Sequence, residues 1–160
     1  MPPLNSNEII VAYVFASIIR SILVGIITFI LIFPFTDLIL NNVNIMLLYT
    51  ILGSVFLALL GLLAGIWSEK FDNMSGITNF IITPLTFLSG TFYSIDRLPE
   101  PFFSISLFNP FYYVIDGFRS AFLSDYQHNL VYGITYLSIL NILLYFITYK
   151  ILTKGWMLKA

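Results

Sequence analysis

One permanently charged side chain sits well inside a long apolar run of this 160-residue chain: Arg20, within residues 9–33. At the usual helical rise it lies about 16 Å beyond Ile9. A cation at the centre of a bilayer costs about 2.5–3.5 kcal/mol on insertion scales, so such a residue is expected to have a polar partner, a wet cavity or a functional role. Ser17, Ser21 and Thr28 share a neighbouring face, which favours a hydrated groove. A second apolar run, 74–94, carries Gly76, Asn79, Thr83, Thr86 and Gly90. Wound as a helix, these five fall within an arc of about 80°, with Phe80, Ile81, Leu85 and Leu88 elsewhere. A small, polar stripe on an otherwise apolar helix must face protein or water. It can line an export path or a dimer seam, with plain packing between helices as the alternative. Between these runs, Gly61-x-x-x-Gly65, with Ser54 and Ala58 as a similarly spaced pair, permits close backbone approach, and packing within the same chain is the expected use.

Covalent chemistry has few residues to work with. The chain has no cysteine, which removes disulfides, thiolate nucleophiles and Fe–S clusters. Its one histidine, His128, rules out a multi-histidine zinc site and reads as an interfacial residue. No Asp or Glu pair lies within an apolar run, which weakens any case for an intramembrane enzyme. None of the nine glycines is followed by lysine, so there is no phosphate-binding G-x-x-x-x-G-K-[ST] loop, and any ATP must be bound by another polypeptide. No cofactor or metal is expected in this chain. A net charge of −1 supplies no basic field for nucleic acid.

The elements that position these residues follow from composition. The chain is 59% apolar and 9% charged, with a mean hydropathy of +0.94, whereas soluble domains are about 25% charged. The solvent for most of its surface must be lipid. Crossing about 30 Å of hydrocarbon takes roughly 20 apolar residues in a helix. Four runs suffice: 9–33, 45–67, 74–94 and 130–150, with Asn41, Asn42 and Asn44 as a turn before the second. The runs are continuous, not alternating as barrel strands would be. The fold class expected is therefore all-α: one transmembrane domain of four spanning helices.

Residues 96–125 are too polar to span and too aromatic for a solvated loop. Pro99 and Pro101 open one short helix, and Asn109-Pro110 opens another as N-cap and N1. Asp116 and Arg119, three apart, are placed to pair on an exposed side. Two short re-entrant or interfacial helices in the outer leaflet account for the segment. Lys70, Lys150, Lys154 and Lys159 fall on one face of the bilayer against Arg97 and Arg119 on the other, so both termini are expected in the cytoplasm. Trp67 and Trp156 suit the inner-face belt; Glu69, Lys70 and Asp72 form a short cytoplasmic turn, and Asp96, Arg97 and Glu100 an external one. Met1–Glu8 has neither a basic leader region nor a cleavage pattern and reads as the end of a cytoplasmic loop, so further residues are expected before Met1.

From Asn79 the chain reads NFIITPLTFLSGTFYSIDRLPEPFFSISLFNPFYYVIDGFRSAF. In the order and spacing of Pro84, Phe87-Leu88-Ser89-Gly90, Leu98-Pro99, Asn109-Pro110 and Asp116 to Arg119, this block resembles the C-terminal signature of the ABC-2 type exporter permeases. The resemblance, over about residues 5–155, implies a six-helix inner-membrane permease that dimerises and binds two cytoplasmic ATPase subunits. On that pattern the four helices here are the third to sixth, and the first two spans and the amphipathic helix before them are absent. Residues 96–125 then approach the outer gate, with Pro84, Pro99, Asn109, Pro110, Asp116 and Arg119 as signature positions. The expected function is the permease part of an ATP-driven exporter of polysaccharide, glycolipid or drugs. The alternative is a membrane scaffold or assembly protein without transport.

Overall fold

The computed structural model describes residues 5–36, 40–68, 71–92, 99–123 and 130–154. Every regular element among them is helical. Helix α1 (Ser6–Ile32) starts where the Glu8 carboxylate accepts the Asn5 N–H at 3.1 Å, and ends in a 3-10 turn, Phe33–Phe35, at the proline. Helix α2 (Val43–Trp67) is capped by Asn42, whose Oδ1 accepts from the Ile45 amide. Helix α7 (Leu130–Lys154) is the last. These three are long and apolar enough to cross a membrane.

The third expected span takes another form. Its helix runs from Phe71 to Phe87, not 74–94, and is broken: α3 (Phe71–Ile77), a π-helical stretch (Thr78–Ile82) and α4 (Thr83–Phe87). Pro84 is the physical reason. It has no N–H for the preceding turn, and its ring crowds the carbonyl four residues back, so the helix takes one extra residue into a wider turn. Beyond it, Leu88 is the C-cap, its amide donating to the Pro84 carbonyl, and Gly90 adopts φ 77°, which only glycine accepts readily.

Two short helices follow, α5 (Phe102–Leu107) and α6 (Pro110–Ser120), as expected from the prolines. Asn109 Oδ1 accepts from the Phe111 amide at 3.0 Å, the N-cap read from the sequence. At the far end of α6, the Asn41 and Asn42 amides and the Asn41 side chain donate to the carbonyls of Ala121 and Phe122. The asparagine turn therefore caps a helix remote in sequence as well as opening its own.

The core forms where α2 meets its neighbours. Ile10, Phe56, Leu59, Phe111 and Leu144 make one buried cluster; Tyr49, Tyr112, Tyr113 and Leu137 make another. Glycines set the spacing in the second. A Cβ at Gly117 would lie 2.0 Å from Tyr49 Cε1, one at Gly133 2.6 Å from Tyr49 Oη, and one at Gly53 2.6 Å from Val114 Cγ1. The Tyr49 ring thus lies directly on two helix backbones, and its hydroxyl donates to the Leu130 carbonyl at 2.9 Å.

Gly61 and Gly65 do not do this. A Cβ at either would meet nothing within 4 Å, so the expected packing of this pair within the chain is not formed among the described residues. Lys70, Asp96, Arg97, His128, Trp156 and Lys159, like Glu69, lie outside the described residues.

Candidate functional site

The third helix carries five of the residues singled out from sequence, Gly76, Asn79, Thr83, Pro84 and Thr86, and its backbone explains their arrangement. In the π-helical stretch the Thr83 amide and hydroxyl both donate to the Thr78 carbonyl, the hydroxyl at 2.9 Å. Thr78 Oγ1 donates to Met74 O at 3.0 Å and Thr86 Oγ1 to Ile82 O at 2.8 Å. The threonine hydroxyls therefore spend their protons on their own helix and offer only acceptor capacity outward. Asn79 is different: it is exposed, and its amide has no partner among the described residues.

The five-residue stripe is not continuous. Gly76 is half-buried with open space before it, Asn79 is exposed, and Thr83 and Thr86 are half-buried. Gly90 has left the helix and is buried. The uniform winding assumed from sequence fails because the π stretch shifts the register and the helix stops short of residue 90.

Helix α6 and its cap residue clasp the end of this helix. Asn109 Nδ2 donates to Leu85 O at 2.6 Å, and Arg119 Nη2 donates to Gly90 O at 2.9 Å. Asn109 thus serves two elements, capping α6 with its oxygen and holding α4 with its nitrogen. Pro110 fixes the first turn of α6, which orients both groups. Pro99 accepts the Phe102 amide at 3.0 Å and so starts α5. Asp116 is buried, not on an exposed side as the spacing suggested, because that face of α6 packs against α2.

Arg20 stands apart. It is exposed near the middle of α1 with no partner among the described residues. Ser17 and Ser21 turn away from it, to Ser54 O at 3.3 Å and Ile18 O at 2.9 Å. The expected groove of serines around the cation is not formed among the described residues. Without Arg20 in its lining, an apolar groove of about 490 Å³ lies between α1, α2 and α7, lined in part by Ile10, Val14, Leu59 and Asn141.

Asn141 went unnoticed in the sequence. Its Nδ2 donates to Leu52 O at 3.1 Å, and its Oδ1 is buried without a partner. A lone Asn inside the apolar run 130–150 was the available signal. Tyr49, Gly117 and Gly133 were missed as well, because no fixed spacing joins a tyrosine to glycines on two other helices.

Residues 2–123 match the family described as ABC-2 type transporter. Over 158 residues the chain is 32% identical to "Inner membrane transport permease YadH" of Escherichia coli strain K12 and to the protein of the same name in Shigella flexneri. The similarity covers 99% of this chain and 62% of each relative, so the chain spans about 62% of the length of the curated proteins it matches. No solved structure matches it significantly.

Proposed function

Because the chain belongs to the ABC-2 type transporter family, we propose that it works as the permease part of an ATP-driven exporter in a bacterial inner membrane. A separate ATPase subunit supplies the energy, and this chain supplies the path. Its similarity to proteins named as inner membrane transport permeases supports the location and the class. In this reading α1, α2, the third helix and α7 make four crossings, α5 and α6 lie on the external side, and both ends are cytoplasmic. The hydrogen bond from Tyr145 to Asn7, at 2.9 Å, supports a common side for the start of α1 and the end of α7. The third helix, about 25 Å long at the usual rise, is close to the bilayer's hydrocarbon thickness.

The observation that carries the reading is polar: Arg20 is uncovered on a helix long and apolar enough to cross a membrane, and Asn79 is uncovered on the third helix. Neither belongs in hydrocarbon. A second copy of the chain, facing the first across the stripe of Gly76, Asn79, Thr83 and Thr86, encloses a polar lane between them. Gly61 and Gly65, with open space before them, suit the same kind of close approach from outside the chain. Polysaccharides, glycolipids and amphipathic drugs are the cargo classes this lane suits.

Affinity purification of the full chain from native membranes tests the reading. The expected result is co-purification of a P-loop ATPase whose turnover rises when both are reconstituted in bilayers. Recovery of the chain with no ATPase, across several mild detergents, refutes it and favours a scaffold.

A further inference from the structure

The third helix is held at both ends, and in the middle only Ile82 of its π-helical stretch reaches the core. At its outer end, Asn109 and Arg119 fasten Leu85 O and Gly90 O. At its inner end only three residues separate Phe71 from the end of α2, and Ser68 Oγ lies 3.7 Å from Met74 Sδ. Between these points it stands off α2 and α7 across an apolar cleft of about 460 Å³, walled by Phe56, Leu60, Ile81, Ile82 and Leu144. The π-helical stretch falls in this part, with Thr78, Asn79, Phe80 and Ile81 exposed and Ile82 as its contact with the core.

The hydrogen bonding there is closely balanced. In the observed register the Thr78 carbonyl takes the Thr83 amide; in an ordinary α-helical register it takes the Ile82 amide. Normally the wider turn is disfavoured. Here Pro84 has no amide to give the preceding turn in either register, so returning to the α form does not recover the full ladder. The Thr83 hydroxyl, on the same Thr78 carbonyl, adds weight to the π form. A strut fixed at both ends, with an apolar gap beneath it, relaxes where its own hydrogen bonds are most evenly matched.

We propose that Thr78–Ile82 is a register switch: it alternates between π-helical and α-helical turns, and the α form brings the middle of the third helix down onto α2 and α7 while its outer end stays fastened to α6. The cleft is the space into which that motion goes. The switch is a property of this chain, whatever the cargo.

The chain has no cysteine, so pairs can be introduced without background. Spin labels at Leu60→Cys and Ile81→Cys, in the full chain in lipid bilayers, read the cleft by pulsed electron resonance. Labels at Thr91→Cys and Phe118→Cys read the outer clasp. The cleft pair is expected to show two distances and the clasp pair one. Pro84→Ala, which restores the amide, removes the longer cleft distance and leaves the clasp pair unchanged. Thr83→Val, which removes the extra donor to Thr78 O, shifts the cleft population the same way without touching the proline. A single cleft distance in the otherwise native chain overturns the proposal. So does a longer distance that survives both substitutions, or a clasp pair that moves together with the cleft pair.

Discussion

Gly117→Ala is expected to be the most damaging single methyl group that can be added to this chain. The new Cβ would lie 2.0, 2.2 and 2.3 Å from Cε1, Cζ and Cδ1 of Tyr49. Carbon atoms pack at about 3.5–4.0 Å, so the ring would have to retreat by about 1.5 Å. It has nowhere to go. Tyr49 is only 1% exposed, Gly133 of α7 closes on its hydroxyl, and that hydroxyl is held by Leu130 O. Overpacking costs about 1–3 kcal/mol, and a displaced, unsatisfied buried hydroxyl adds about 1–3 kcal/mol. Equilibrium unfolding in mixed micelles, followed by near-UV circular dichroism of the tyrosines, measures the sum. Gly25→Ala is the matched control, since a Cβ there meets nothing within 4 Å. It should be neutral or slightly stabilising through helix propensity. Tyr49→Leu in the Gly117→Ala background should restore part of the loss, so the two changes are not additive. Equal stability of Gly117→Ala and Gly25→Ala would refute the packing argument.

Further outcomes follow from single contacts. Asn109→Ser keeps the N-cap of α6 but is too short to reach Leu85 O; it should cost about 1 kcal/mol, and hydrogen exchange at Leu85–Gly90 should quicken while that of the first turn of α6 is unchanged. Asn141→Leu removes one hydrogen bond and one orphaned acceptor together, so unfolding should shift by less than about 1 kcal/mol, whereas Asn141→Asp should lose several times that on burying a carboxyl group. Arg20→Leu should favour insertion by about 2.5–3.5 kcal/mol in a translocon assay yet abolish stimulation of the partner ATPase. Full stimulation would end the functional reading of Arg20. Thr83→Leu with Thr86→Leu should lower export and leave membrane insertion and self-association intact; unaffected export would remove the stripe from the path.

The long helices were legible because hydrocarbon imposes one rule along the whole chain: uninterrupted apolar residues, stopped by Pro34, opened by Asn42 and closed near Ser68. The Asn109-Pro110 cap was equally plain, being local in both chemistry and geometry. What stayed hidden was whatever depends on a second element. Gly61-x-x-x-Gly65 has the spacing of a packing motif and packs against nothing in the chain, while Gly117 and Gly133, without any motif, receive the same tyrosine. The break in the third helix was not read, since 74–94 was wound as one uniform helix with Pro84 inside it; a proline kinks, ends or widens a helix according to what supports the freed backbone. Asp116 looked like a surface partner for Arg119 only while α6 was imagined lying on the membrane. Docked against α2, the same face becomes interior.

The distribution of donors gives these separate features one logic. In the described helices the hydroxyls of Ser21, Ser54, Thr78, Thr83, Thr86 and Thr148 donate to carbonyls of their own helix, and only Ser17 among the short hydroxyls of α1 crosses to another, at Ser54 O of α2. The longer amides and the guanidinium reach elsewhere. Asn141 goes to α2, Asn109 to α4 and Arg119 to Gly90, each joining elements that apolar contact alone would leave free to slide. A hydroxyl that serves its own backbone can face lipid at little cost, whereas an amide or guanidinium cannot. By that criterion the threonine stripe alone does not require a polar neighbour. Asn79 and Arg20 do, and away from the helix ends they have no described partner. On the proposed reading their unmet donors, more than the glycines or threonines around them, are where a second copy, a cargo molecule or water enters the structure.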